Sequence, residues 1–296
     1  MVRLWVGGKS EIQNPKFRGV DGIPNSEFRI QNSSRYTPPM TSPALKALLL
    51  DLDDTLIDNS MDTFIPAYFR ALEAFVADVV EPGRFIEELL KATRAMDGND
   101  GSGSSNEEVF AAAFYPALGV PREEMEPLLA RFYAEAFPQL APLTGQRSVA
   151  PKIIEWAKDR DLQVVIATNP LFPRTAIEQR MAWGGVGVDR FDYELVTCFE
   201  NSHATKSSPA YFREIVDFLG RKPEECLMVG DNWGWDVVCA GTAGIPSFWI
   251  ASNGAQPPEP VVEVVGRGDL DTFMTALENG ELERNWAERV NQGRAI

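Results

Sequence analysis

The chain has 296 residues, of which 44% are hydrophobic and 24% charged, enough to bury one large core or two smaller ones. A net charge of −15 argues against nucleic acid or an anionic membrane as the main partner, and a single histidine, His203, excludes a multi-histidine metal site. Cys198, Cys226 and Cys239 are too few and too scattered for a disulfide framework or a zinc site. No run approaches the roughly 20 apolar residues of a membrane helix. The composition is that of a cytoplasmic enzyme built on carboxylates.

Residues 1–39 stand apart. They are rich in Gly, Asn, Ser and Pro, show no apolar period, and end in the breaker Thr37-Pro38-Pro39. They hold six basic and three acidic residues, net +3, so the remainder carries −18 of the total of −15. The segment reads as a disordered arm or a mis-assigned start, and residues 40–60 and 142–296 as the main domain. Ala47–Leu50 has the continuous apolar character of a buried parallel strand and runs into Asp51-Leu52-Asp53-Asp54.

Residues 61–141 carry no strand signal and read as an inserted helical domain. Phe64, Tyr68, Leu72, Phe75, Val76 and Val79 recur at helical spacing, as do Phe85, Ile86, Leu89 and Leu90. Val109, Phe110, Ala113 and Phe114 form a third stripe; Met125, Leu128, Leu129, Phe132 and Tyr133 form a fourth. Gly98–Ser105 is the loop between the second and third helices. Arg70, Lys91, Arg94 and Arg131 are expected on solvated faces of these helices.

Beyond the insert, the chain alternates. A helix is expected over Val149–Lys158, a strand over Leu162–Ala167, a helix over Ala210–Leu219 stopped by Gly220, and strands over Cys226–Val229 and Pro246–Ile250. Leu270–Leu277 closes the series as a helix. Strands alternating with helices imply a doubly wound parallel sheet of α/β class, with ligands at the carboxyl ends of its strands.

The chemistry collects at those ends. Acids at Asp51 and Asp53 repel unless a cation or a proton is shared. In an extended chain the two would share a side, with Asp54 turned away. Thr168-Asn169 ends the second strand, Lys206 precedes a helix, and Asp231 and Asp236 follow the third motif-bearing strand. In this order the chain strongly resembles the haloacid dehalogenase-like (HAD) hydrolase superfamily, over roughly Leu45 to Ile250. Ser207 departs from that pattern, where many relatives have Pro.

The resemblance implies a Rossmann-like core with a helical cap inserted after the first motif. It implies Asp51 as nucleophile, Asp53 as general acid and base, and Thr168, Asn169 and Lys206 as phosphate-binding groups. A magnesium ion would be held by Asp51, the Asp53 backbone carbonyl, Asp231 and Asp236, the last either through water or as an orienter of Lys206. The acid at Asp53 implies a phosphatase acting on a small phosphorylated metabolite, because family dehalogenases lack it. A receiver-like phosphoacceptor, an idle binding protein, a phosphonatase and a nucleotidase are the competing readings. His203 is expected as a loop residue, Trp233 and Trp235 as packing groups, and the three cysteines as small buried hydrophobes.

Overall fold

Strand β1 (Ala47–Leu50) is buried along its whole length, as a central strand covered on both faces must be. A two-residue strand, β2 (Ile57–Asp58), then leads into helices α1 (Met61–Val76), α2 (Arg84–Asp97), α3 (Asn106–Leu118) and α4 (Arg122–Glu135). A 3₁₀ segment, Phe137–Leu143, returns the chain to β3 (Gly145–Gln146). There follow α5 (Ala150–Lys158), β4 (Gln163–Ile166), α6 (Arg174–Trp183), β5 (Leu195–Val196), α7 (Pro209–Leu219) and β6 (Cys226–Gly230). A π-helical segment, Trp233–Cys239, runs into α8 (Ala240–Thr242); β7 (Ser247–Ile250), β8 (Gly266–Gly268), α9 (Leu270–Glu278) and α10 (Glu281–Asn291) complete the chain. This computed structural model describes residues 44–81, 83–252 and 254–291. The expected extension over residues 1–39 lies outside the described residues.

Six parallel strands form one sheet in the order β5-β4-β1-β6-β7-β8. The chain builds outward from β1 in one direction through β4 and β5, then in the other through β6, β7 and β8. That reversal leaves a crevice at the carboxyl ends of β1, β4 and β6, where an open α/β sheet takes its ligand. Register aligns the three ends, since Leu50 pairs with both Ile166 and Val229. Leu49, Val165 and Met228 pack with Phe212 and Ile215 of α7 and Ala240 of α8 in one core cluster. Each of the larger of these side chains contributes roughly 1.5–3 kcal/mol by leaving water. Helices α5 and α9 contact each other and strands β4 and β7, and lie outside that cluster.

The inserted helices hang from an antiparallel ribbon in which β2 pairs with β3. Their apolar stripes face inward as the spacing predicts: Phe64, Tyr68 and Leu72 of α1, Phe85 of α2, Phe114 of α3 and Phe132 of α4 are buried. Val79 departs from its stripe. It follows the end of α1 and is 51% exposed. The expected loop falls between α2 and α3, and Ser105 opens α3 with a capping box, its side chain accepting from the Glu108 N–H while Glu108 accepts from the Ser105 N–H. Arg70, Lys91, Arg94 and Arg131 are exposed. Among the described residues no helix is long and apolar enough to cross a membrane.

Candidate active site

The backbone N–H of Asp51 donates to the Val229 carbonyl at 2.9 Å, so the first acid past β1 is fixed against β6. Its Oδ1 accepts from Lys206 Nζ at 2.6 Å, and its Oδ2 accepts from Thr55 Oγ1 at 3.2 Å. The Lys206 ammonium also lies 2.6 Å from Asp236 Oδ1, bridging the two acids. Asp236 Oδ2 accepts the Asn232 N–H at 2.9 Å, and Thr55 Oγ1 reaches Asp231 Oδ1 at 3.3 Å. One oxygen from each of Asp51, Asp231 and Asp236 can be chosen so that all lie within 4.8 Å of one another. Gly230 makes this approach feasible, because a Cβ there would overlap the Asp236 side chain.

Three carboxylates face one ammonium. Burial pushes the Asp51 carboxyl upward, Lys206 pulls it down, and Asp236 adds to the upward push, which prevails. Asp231 is raised to about 8, first by burial and then by the charges of Asp51 and Asp236. Burial disfavours the Lys206 ammonium, but Asp236 and Asp51 outweigh it and hold the amine protonated. The uncompensated charge and all-oxygen donor set fit a hard divalent cation, which would bring the carboxyls back to their ionised form.

At the end of β4, Thr168 is buried and its carbonyl accepts from the Thr197 and Tyr211 hydroxyls at 2.8 and 2.9 Å. Asn169 Oδ1 accepts the Lys206 backbone N–H at 3.2 Å, tying the second motif to the third. The Thr168-Asn169 pair thus meets Lys206, 37 residues beyond Asn169, at the sheet edge where Lys206 contacts Asp51.

Asp53 has different company. Extended backbone ends at Leu50; the Leu56 and Ile57 N–H groups donate to the Leu52 carbonyl, and Asp54 adopts a left-handed φ of 56°. Simple alternation past Asp51 therefore stops applying. The Asp53 carboxylate is absent from the three-acid group; it accepts from Asn59 Nδ2 at 2.6 Å and from Arg180 Nη1 at 2.7 and 2.6 Å. Arg180, Asn59 and Thr55 are missing from the motif reading. One signal for Arg180 was available: it shares an α6 stripe with Ala176, Ile177 and Met181, where an apolar residue is expected. Burial pushes Asp54 to about 6, with the Asp53 charge adding to the effect and Arg147 opposing it.

The insert reaches the same region. Asn106, fully buried, donates to the Ala204 carbonyl at 3.0 Å and accepts from Asn99 at 2.9 Å. Thr205 Oγ1 donates to Asp97 at 3.0 Å, and Asp100 bridges to Ala204. The α2–α3 loop is thereby seated on the segment that carries Lys206.

A family model described as haloacid dehalogenase-like hydrolase matches residues 45–244 and ends beyond the last of these acids. The chain belongs to this family. Like its family, it is an enzyme, a hydrolase. This HAD-like hydrolase is 28% identical over 241 residues to a phosphoserine phosphatase of Thermus thermophilus, covering 73% of the chain and 92% of the relative. It is 24% identical over 212 residues to the pyrophosphatase PpaX of Bacillus velezensis, covering 72% and 86%. Among solved structures, a HAD phosphatase from Thermococcus onnurineus shares the fold with a TM-score of 0.50 and 22% identity, over 79% of this chain and 98% of that one.

Other features of the hydrolase have plain structural roles. His203 Nδ1 pairs with Glu214 at 2.7 Å in a loop. Trp233 packs edge-on against Trp249 at 4.9 Å between centroids, and Trp235 is half-buried. Cys198 and Cys226 are buried, whereas Cys239 is half-buried and lies 3.4 Å from the Ser207 carbonyl.

Proposed function

We propose that the protein hydrolyses a small-molecule phosphate monoester in a magnesium-dependent reaction through an aspartyl-phosphate on Asp51. The observation that carries this reading is the group of buried Asp51 and Asp236, paired with Lys206, and half-buried Asp231. A phosphate dianion is approached by an anionic nucleophile only where positive charge is in place first. Magnesium held by Asp51, Asp231, Asp236 and the Asp53 carbonyl would neutralise charge on the phosphoryl oxygens. The phosphatase names of the curated relatives support the same reaction class.

In the first half-reaction an Asp51 carboxylate oxygen attacks phosphorus in line, the bond from phosphorus to the ester oxygen breaks, and Asp53 gives that oxygen its proton. In the second, water attacks the aspartyl-phosphate, its proton passes to Asp53, and Asp51 and inorganic phosphate are released. Lys206, the Thr168 hydroxyl and the Asn169 N–H hold the non-bridging oxygens. Asp236 both orients Lys206, at 2.6 Å, and stands among the candidate ligands. Residues 61–141 act as a cap that selects the substrate and excludes water, with 40–60 and 142–296 as the catalytic core. The relatives act on unlike phosphates, a serine phosphate and pyrophosphate by name, which is in keeping with a shared core and a variable selecting element.

A panel of phosphorylated metabolites assayed with and without magnesium tests the reading, alongside Asp51→Asn. Turnover should need the metal, and the variant should fall below about one part in a thousand while remaining folded, because losing a covalent nucleophile costs more than losing one oxyanion donor. Unchanged turnover in Asp51→Asn would remove the nucleophile assignment. Wild-type protein that leaves every phosphate intact would remove the phosphatase reading.

A further inference from the structure

We infer that Arg180 is the positioning residue of the general acid, clamping Asp53 so that only its Oδ2 carries the transferred proton. The inference rests on the phosphatase reading above and adds to it a residue outside the family motifs. Arg180 is fully buried on α6, and its Nη1 contacts both Asp53 oxygens, at 2.7 and 2.6 Å. Phe172 covers the guanidinium at 4.6 Å, with Phe64 at 5.9 Å, so the head is held from its faces as well as its edge.

The hydrogen-bond count singles out one oxygen. A carboxylate oxygen has two lone-pair sites. Oδ1 uses both, one for Arg180 and one for Asn59 Nδ2 at 2.6 Å. Among the described residues Oδ2 accepts from Arg180 alone, leaving one site for a proton. A general acid works only within hydrogen-bond reach of the leaving oxygen, and a freely rotating carboxyl would present either oxygen. The clamp removes that freedom.

Arg180 is an expensive way to fill a core position. Its Nη2 is buried with no hydrogen-bond partner among the described residues, and so is Asn59 Oδ1. A buried ion pair often stabilises a fold no better than apolar residues of the same volume. The geometry of Asp53 is what an apolar residue at 180 could not supply. The same helix also reaches the cap ribbon: Gly184, one residue past α6, lies so close to Ile57 of β2 that a Cβ would collide with it.

Arg180→Met tests this by leaving-group release in the first turnover, measured by rapid quench on an alkyl phosphate and on p-nitrophenyl phosphate. The alkyl ester should lose about 10- to 100-fold, part of the 10²–10⁴ that a general acid supplies, with KM changed less than about threefold. The nitrophenyl ester, whose leaving group scarcely needs a proton, should lose about threefold or less. Arg180→Met should add no further loss in an Asp53→Asn background, because it acts through Asp53. Equal losses on both esters, or an undiminished loss in that background, would overturn the inference.

Arg180→Lys keeps a charge at the same place and should restore part of the alkyl rate; no recovery, with the fold intact, would also count against the clamp. Should Arg180→Met fail to fold, the Lys variant must show the alkyl-selective loss in weaker form, and equal losses there overturn the inference. Wild-type protein inactive on both esters and on the whole metabolite panel would sink the phosphatase reading. The contact itself would then be judged by melting temperature: Asp53→Asn and Arg180→Lys should each lower it, and the double variant should fall short of their sum by about 5 °C. Additive shifts would overturn the clamp.

Discussion

Gly230→Ala should damage the Asp51–Asp231–Asp236 end of the site without replacing a charged residue. Gly230 is the last residue of β6, and an alanine Cβ there would lie inside 3.0 Å of the Cβ, Cγ and Oδ2 atoms of Asp236, where ordinary contact begins near 3.4 Å. Neither side can retreat easily. Gly230 is paired to β7 at Trp249, and the Asp236 carbonyl is pinned by the Ser247 hydroxyl at 2.7 Å. The Asp236 carboxylate would have to swing away, losing Lys206 at 2.6 Å and the Asn232 N–H at 2.9 Å.

Removing one partner of a buried charge pair costs about 3–5 kcal/mol, and the lower end applies because Lys206 keeps Asp51. Replacing Gly also stiffens the unfolded chain, which returns about 0.4–1 kcal/mol. The expected net loss is therefore about 2–3 kcal/mol by urea denaturation, with magnesium affinity about tenfold weaker by calorimetry. A stability change under about 0.5 kcal/mol together with unaltered magnesium affinity would refute the reasoning.

Asp53→Asn should form the phosphoenzyme from p-nitrophenyl phosphate about 10²–10⁴-fold more readily than from an alkyl phosphate, relative to wild type, and then hydrolyse it slowly; rapid quench would show a stoichiometric burst with the aryl ester alone. The metal-free protein should lose melting temperature as pH rises from about 4 to about 8, because Asp231, ionising near 3.8 when unfolded and about 8 when folded, binds an extra proton in the native state across that window. Asp54, raised to about 6, acts in the same direction. Magnesium should reverse the loss, most strongly near pH 8, and a flat profile by scanning calorimetry would contradict the buried-acid picture. Asn106→Ala should cost about 1–3 kcal/mol by removing the buried side-chain donor to the Ala204 carbonyl, and should lower turnover by unseating the α2–α3 loop; unchanged stability would show that this contact is dispensable.

The order of motifs and the core elements were legible in the chain, because both are set by local patterns. Four apolar residues before an acid identify β1 whatever the rest of the molecule does, and Gly220 stops α7 through its own left-handed backbone, φ 61°. Register among parallel buried strands then brings Asp51, Thr168 and Asp231 to one edge. The partners of Asp53 were not legible. Arg180 lies 127 residues away; its place on the apolar stripe of α6 marks it as buried, but only docking puts the guanidinium between Phe172 and Asp53. The seat of the α2–α3 loop is of the same kind: Asn106 and Ala204 are joined by one hydrogen bond across 98 residues. Periodicity reports which face of an element avoids water. Which polar group meets which across that face is decided by packing, since a charge survives burial only where the fold brings its counterpart within reach.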